Sequence, residues 1–277
     1  MKEIHVEKQV IGTLVREGAG VKVQRYIGAE RKDPFEPILL FDFFDSKNEM
    51  DYIAGFPNHP HRGFETITYL LKGQIAHRDN QGHEGVIGPG DVQWMTAGRG
   101  IVHSEMPQKS EEGITGLQLW LNLPAANKMD APHYHEYTAS QLPIERQDSG
   151  VQIKVIAGKT DKGTQSPITG IATNPIFLDL RLPEQQIIQQ HLPSDHQALV
   201  FVLSGEIKIQ KETVKRHHLA ILSPGELLVL QGLTKDTHCL LIAAKKLKEP
   251  IARLGPFVMN TEEEIMQALD DFRNNRF

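Results

Sequence analysis

The sequence has a single cysteine, Cys239, among its 277 residues. One thiol cannot form an intrachain disulfide, and it excludes zinc fingers, CxxC redox pairs and iron–sulfur clusters, all of which need several thiolates. Any metal site in this chain must therefore be built from nitrogen and oxygen ligands.

Long apolar runs are also missing. Segments such as residues 198–203 are far too short to span a bilayer, and residues 1–24 lack the apolar stretch of a signal peptide. The 30 basic and 35 acidic residues give a formal charge of −5, which provides no general attraction to phosphate backbones or anionic membranes. These observations predict a cytoplasmic protein with no direct nucleic-acid partner and no membrane contact.

Short segments that are apolar or alternate in polarity recur between turn residues, which is typical of antiparallel β-structure. Residues 65–73 end in Lys-Gly, and the turn Pro89-Gly90-Asp91 follows. A similar strand with Ser-Gly occurs at residues 201–206, and a Pro-Gly-Glu turn follows within residues 223–226, at a comparable interval. The pattern predicts an all-β fold made of two related antiparallel barrels.

The boundary between the barrels is predicted within residues 122–147, which hold three prolines and many polar residues. We therefore expect a first barrel at residues 1–132 and a second at residues 133–277. Near the carboxyl end, a capping-box pattern precedes apolar residues spaced along one helix face. This predicts a short C-terminal helix at residues 262–273.

Two pairs of polar side chains have the spacing of metal ligands on strands. His59 and His61 are two residues apart, so both imidazoles leave the same face of an extended strand, and His103 and Glu105 repeat that spacing. Two such pairs on facing strands could converge on one ion. Three imidazoles and one carboxylate with open coordination positions suit a catalytic iron better than a closed structural zinc.

The segments that carry these ligands resemble the signature of pirins, a branch of the cupin superfamily. They read FPNHPHRGFETITYLL at residues 56–71 and GDVQWMTAGRGIVHSEM at residues 90–106. The segment GPFVMNTEEEI at residues 255–265 is similar to the pirin C-terminal segment. The resemblance therefore covers regions near both ends of the chain.

The resemblance implies a bicupin, which consists of two antiparallel cupin barrels. The N-terminal barrel would hold Fe(II), with other divalent transition metals left open, through the residues that match the pirin ligands: His59, His61, His103 and Glu105. Glu65, where many other cupins carry their acidic ligand, is expected beside the site. The C-terminal barrel of pirins is generally metal-free, and residues 195–197 are the expected counterpart of the His-x-His pair.

The resemblance also implies a function. This chain would be a quercetin 2,3-dioxygenase that opens a flavonol ring with O2 and releases carbon monoxide. A separate hypothesis gives Glu105 a second, catalytic role, in which this ligand also accepts the substrate hydroxyl proton. The alternative is a redox-responsive metal-binding regulator that acts through protein partners, in transcription or central metabolism, without physiological catalysis. A metal-assisted isomerase or a sugar-binding cupin would share the fold but matches the two segments poorly.

Other conspicuous side chains are predicted to have structural roles. The second His-x-His pair, His133 and His135, lies in the expected linker and is predicted to be solvated. His77 and His83 flank a polar turn, and we expect them to serve that turn; the alternative is that they form a wall of the cavity near the metal. Cys239 lies in an apolar stretch and is predicted to be buried.

Overall fold

The computed structural model describes residues 2–28 and 34–277. The strands in the first half of the chain are β1 (Val6–Ile11), β2 (Thr13–Glu17), β3 (Val21–Ile27), β4 (Ile38–Ser46), β5 (Phe56–His61), β6 (Phe64–Lys72), β7 (Ile75–Asp79), β8 (Glu84–Ile87), β9 (Val92–Thr96), β10 (Ile101–Pro107), β11 (Ile114–Asn122) and β12 (His133–Tyr137). Those that follow are β13 (Ile144–Arg146), β14 (Gln152–Ala157), β15 (Ile176–Leu182), β16 (Ile187–His191), β17 (His196–Ser204), β18 (Glu206–Ile209), β19 (Glu212–Lys215), β20 (His218–Leu222), β21 (Leu227–Gly232), β22 (Thr237–Lys245), β23 (Ala252–Leu254) and β24 (Phe257–Met259). Helix α1 spans Glu262–Arg273, and 3₁₀ helices lie at Glu49–Asp51 and Ala125–Asn127.

The chain forms two compact units, as the duplicated strand pattern predicts. The first barrel comprises Thr13–Ala139 and Leu247–Phe277, and the second comprises Met1–Gly12 and Ser140–Lys246. This division differs from the predicted ranges at both ends of the chain. The first strand belongs with the later half, the C-terminal helix belongs with the earlier half, and the central boundary follows residue 139 instead of 132.

The first barrel is built from two antiparallel sheets. Their strand orders are β12-β9-β6-β11-β4-β3-β2 and β5-β10-β7-β8. Strand β12 pairs with β9, with His133 opposite Thr96 and His135 opposite Trp94. The prediction that this second His-x-His segment is a linker is therefore wrong, although His133 is exposed, as predicted, and His135 is half-buried. Its alternating aromatic and polar residues pair with a strand edge that would otherwise be open.

The second barrel repeats this topology. Its sheets have the orders β1-β20-β17-β22-β15-β14-β13 and β16-β21-β18-β19, so β1 takes the place that β12 takes in the first barrel. Ahead of β1, the backbone N–H of Ile4 donates to Leu227 O at 2.9 Å, and the Ile4 side chain is buried in the aliphatic core of this unit. Cys239 is buried in the same core, as predicted.

The predicted C-terminal helix is present and begins where the sequence indicates. The Thr261 hydroxyl accepts the backbone N–H of Glu264, and the Glu264 carboxylate accepts the backbone N–H of Thr261. The helix packs Ile265 and Ala268 against apolar side chains of β23 and β24, within the first barrel. In the part of the chain described here, no helix combines the length and the hydrophobicity that a transmembrane span requires.

The assignment of the amino-terminal segment can be tested by truncating a side chain. Ile4→Ala removes a buried side chain from the second barrel, and we expect it to lower the free energy of unfolding by about 2–5 kcal/mol. Ile11→Ala is the control because Ile11 is 69% exposed, and its effect should stay within about 0.5 kcal/mol. Urea denaturation followed by circular dichroism measures both. Equal effects would contradict this packing.

Candidate metal centre

Three histidines converge in the first barrel because β5 and β10 pair in antiparallel register. His59 lies opposite His103, and His61 lies opposite Ile101. The imidazole centres are separated by 4.7 Å (His59 to His61), 4.4 Å (His59 to His103) and 5.0 Å (His61 to His103). One nitrogen from each ring lies within 4.8 Å of the other two, so the three residues could hold a metal ion.

The protonation of these histidines suits metal binding. Burial, with repulsion from the other two imidazoles, holds the pKa of His61 well below its usual value. Burial also lowers the pKa of His103 to about 4, although the negative charge of Glu105 opposes the shift. Both rings are therefore neutral at pH 7 and keep a lone pair for a metal.

The hydrogen bonds of the same histidines agree with that role. Nδ1 of His59 lies 2.8 Å from Pro57 O. Because a carbonyl only accepts, Nδ1 carries the hydrogen and Nε2 keeps the lone pair, a common arrangement for metal-bound histidine. Nδ1 of His61 and both ring nitrogens of His103 are buried without a hydrogen-bond partner among the described residues. Such unpaired ring nitrogens fit a bound divalent transition metal.

Glu105, the fourth predicted ligand, lies beside this group. Its Oε1 accepts a hydrogen bond from Thr68 Oγ1 at 2.9 Å, and its Oε2 accepts one from Gln118 Nε2 at 2.8 Å. A register shift between His103 and Glu105 interrupts the pairing of β10 with β5. The carboxylate is not among the atoms that cluster within 4.8 Å, so the role of Glu105 as a ligand stays a prediction.

A cavity of about 510 Å³ opens next to the histidines. His59 and His61 form part of its wall, and Gln118 lines it while also bonding Glu105. Aromatic side chains of Phe56 and Trp120 contribute flat apolar surfaces. The cavity therefore combines metal-ligating imidazoles with walls suited to a planar organic molecule.

Charged side chains on the cavity wall are paired with one another. Arg25 donates two hydrogen bonds to the Asp42 carboxylate at 2.9 and 2.7 Å, and it forms an ion pair with Glu17 at 2.7 Å. The Arg253 guanidinium lies over the Trp120 ring at 5.3 Å from its centre. No pattern in the sequence singles out these residues, because a charge on a surface strand and a charge in a cavity wall look alike in sequence.

Glu65 does not lie beside the ligands, so that expectation is wrong. Its Oε1 accepts a hydrogen bond from Thr96 Oγ1 at 2.8 Å, across the β6–β9 pair. Thr68, which bonds Glu105, is three residues further along β6 and therefore faces the other side of the strand. Alternation along β6 could have predicted this separation.

His77 and His83 have different environments. The Asp79 carboxylate accepts the backbone N–H groups of Gln81 and His83 and lies 2.9 Å from His83 Nδ1, so His83 serves the turn as predicted. His77 is instead buried on β7 opposite Glu105, with Nε2 at 3.0 Å from the Glu136 carboxylate. The expectation for His77 is therefore wrong, because the pleat directs its side chain inward.

These features define the class of the protein. Two antiparallel barrels of equivalent topology, with a histidine cluster in the first that could hold a metal, are characteristic of a two-domain cupin. Comparison with known sequences identifies the family. The Pirin domain matches residues 20–121 and the Pirin C-terminal cupin domain matches residues 177–277, and the chain belongs to the pirin family.

Relatives match along nearly the whole chain. A pirin-like protein of Caulobacter vibrioides is 44% identical, over 98% of this chain and 98% of its own length. Pirin of Mus musculus is 43% identical, over 93% of this chain and 88% of its own. The crystal structure of quercetin 2,3-dioxygenase from Acinetobacter baumannii is similar with a TM-score of 0.89 and 32% identity, covering 99% of this chain and 98% of that one.

The burial of Glu65 predicts a pH dependence of stability. Burial raises its pKa from 4.5 to about 7, although the Thr96 hydrogen bond opposes the shift. The folded chain therefore keeps a proton that the unfolded chain loses between pH 4.5 and 7. The resulting stabilisation is complete below pH 4.5 and is lost as the pH rises through 7.

We expect Glu65→Gln to equal the wild type near pH 4 and to exceed it at pH 8, by up to about 3 kcal/mol. Urea denaturation at both pH values measures the difference. Glu112→Gln is the control, since Glu112 is an exposed residue outside the barrel strands. A Glu65→Gln protein whose stability follows the wild type at both pH values would contradict this burial effect.

The histidine cluster predicts which imidazoles bind metal. His59→Ala, His61→Ala and His103→Ala should each weaken Co(II) binding at least about 100-fold, because each removes one ligand. The matched control is His135→Ala, which alters a second His-x-His pair outside the cluster. Titration followed by visible absorption measures the affinities. Unchanged affinity in a cluster variant, or equal loss in the control, would argue against this site.

Proposed function

We propose that this chain is a flavonol 2,3-dioxygenase that uses Fe(II) and O2 to open the ring of quercetin or a related flavonol, with release of carbon monoxide. The observation that carries the proposal is the position of His59 and His61 in the wall of a cavity of about 510 Å³, with the buried His103 next to them. The proposal places the protein in the cytoplasm, where reducing conditions favour ferrous iron.

The ligands in this proposal are His59, His61, His103 and Glu105. The three imidazoles are already assembled, and a carboxylate ligand would add negative charge that favours a divalent ion. When bound, such a metal would supply a Lewis acid and a redox centre for dioxygen chemistry. The 32% identity over almost the full length to a protein named quercetin 2,3-dioxygenase supports the same activity.

The cavity supports an aromatic substrate. Its volume lies within the range of roughly 300–1,000 Å³ that accommodates drug-sized molecules. Phe56 and Trp120 can pack against the flat rings of a flavonol, while Gln118 and Arg25 offer hydrogen-bond donors to its oxygens. These groups would orient the substrate with its hydroxyl and carbonyl oxygens toward the histidines.

Glu105 is the proposed proton acceptor. Thr68 and Gln118 each donate to one of its oxygens, and each oxygen retains a further lone pair. Gln118 lies between the carboxylate and the cavity, so Glu105 is held close to the place where a substrate hydroxyl would enter. The carboxylate could then accept the hydroxyl proton.

The experiment measures oxygen uptake after anaerobic loading with Fe(II), with and without quercetin. We expect quercetin-dependent uptake and carbon monoxide release by the wild type. Glu105→Gln should reduce turnover by about 10²–10⁴-fold, and metal analysis of the same sample distinguishes lost chemistry from lost iron.

Full turnover in an iron-loaded Glu105→Gln protein would contradict the proposed catalytic role of this carboxylate. Iron binding without oxygen uptake across a panel of flavonols would contradict the dioxygenase proposal and favour the regulator that acts through protein partners.

A further inference from the structure

Arg62 follows the metal-ligand candidate His61 directly, and its guanidinium is buried. Nε donates to Arg99 O at 2.6 Å, and Nη1 forms an ion pair with the Asp271 carboxylate at 2.7 Å. The Phe277 ring lies under the guanidinium, 4.4 Å from its carbon to the ring centre. The side chain is 3% exposed, so its charge is stabilised by these partners and not by water.

These contacts join both strands that carry the histidines. Arg62 lies at the end of β5, immediately after His61, and Arg99 lies just before β10, which carries His103. The turns that follow β5 and precede β10 are also bonded directly, because Gly63 N donates to Gly98 O at 2.8 Å. The guanidinium is therefore a cross-link between the two ligand-bearing segments.

The third partner comes from the far end of the sequence. Asp271 is on helix α1, and it is separated from Arg62 by 209 positions. Burial would raise the pKa of Asp271, but hydrogen bonds from Arg62, Arg276 and Gln267 lower it to about 2, so the carboxylate is charged at neutral pH. A fixed anion thus holds the guanidinium in place.

The backbone beside Arg62 is tied to the same C-terminal segment. Arg62 N donates to Pro256 O at 3.2 Å, and Val258 N donates to Arg62 O at 3.0 Å. Lys128, also buried, donates from Nζ to Gly63 O and Val258 O. The segment that contains Pro256 also forms part of the cavity wall.

We propose that Asp271 is a positioning residue for the metal centre, and that it acts through Arg62 to fix the relative positions of His61 and His103. Without the anion, the buried guanidinium lacks a charged partner, and the pair of turns that it joins can separate or rotate. The imidazoles would then approach a metal in a less favourable geometry. The inference rests on the proposed metal site, and it does not depend on the identity of the substrate.

The test compares two neighbouring carboxylates. Asp271→Asn removes the charge that faces Arg62, whereas Asp270→Asn is the control, because Asp270 bonds Arg276 and Asn274 on the exposed side of the helix. We expect Asp271→Asn to weaken Co(II) binding about tenfold and to change the visible d–d spectrum of the bound ion. Asp270→Asn should leave both unchanged, and Asp271→Glu should restore most of the affinity.

A second pair of variants keeps the test independent of a folding defect in Asp271→Asn. Phe277→Leu removes the ring under the guanidinium, and Phe272→Leu alters the neighbouring ring of the same aromatic cluster, which does not stack on Arg62. We expect weaker Co(II) binding only for the first. Circular dichroism confirms that each protein is folded at the temperature of the titration.

The outcomes separate this proposal from the proposed function. Wild-type affinity and spectrum in both Asp271→Asn and Phe277→Leu would overturn it, as would equal losses in the two control variants. Weaker Co(II) binding in these variants, together with an iron-loaded wild type that has no flavonol activity, would support the positioning role and reject the dioxygenase. A wild-type chain that binds no Co(II) would reject both.

Discussion

The pairing of β5 with β10 brings three imidazoles together, two of which, those of His61 and His103, are buried away from water. Because His59 lies opposite His103, their ring centres come within 4.4 Å, and a charge on the buried His103 would lie close to the other imidazoles. Burial and repulsion therefore keep His61 and His103 neutral, which makes them ligands at neutral pH. The cavity and the Glu105 carboxylate can take part in metal chemistry only because this register of β5 and β10 brings the histidines together.

Such a cluster needs rigid neighbouring segments, and two buried cations, Lys128 and Arg62, hold those segments in place. Lys128 donates from Nζ to three oxygens, those of Gly63, Asn122 and Val258, at 2.6–2.9 Å. Burial lowers its pKa to about 8, against the charges of Glu249 and Glu264, so it is still mostly protonated at pH 7. An ammonium has three donors, so every one is used. Together with Arg62, it fixes the turn after His61 to a segment almost 200 residues away.

Local patterns in the sequence predicted what depends on neighbouring residues. The two-residue spacing of His59 and His61, and of His103 and Glu105, predicted that each pair leaves one face of its strand, and the capping box at Thr261 located the C-terminal helix. Partner choice between distant segments leaves no such local pattern. The sequence of an amphipathic strand such as β1 is compatible with pairing in either barrel, and side-chain packing in the folded chain determines which barrel it joins. For this reason both ends of the chain were predicted in the other unit.

The two barrels share one topology, so topology alone does not explain why only the first contains a histidine cluster among the described residues. In the second barrel, β16 occupies the position of β5, and β21 occupies the position of β10. The counterpart of the His-x-His pair therefore lies on β16, and the expectation that residues 195–197, with His196 on β17, are that counterpart is wrong. The buried positions of β16 and β21 include the aliphatic Ile188, Leu228 and Leu230, while the buried Gln190 donates from Nε2 to Asp161 Oδ1 at 3.2 Å. The aliphatic side chains offer no lone pair to a metal, and their packing stabilises the unit instead. In a duplicated fold, one barrel can therefore have a mainly aliphatic core that stabilises it, while the other barrel contains the closely packed polar side chains that a metal site requires.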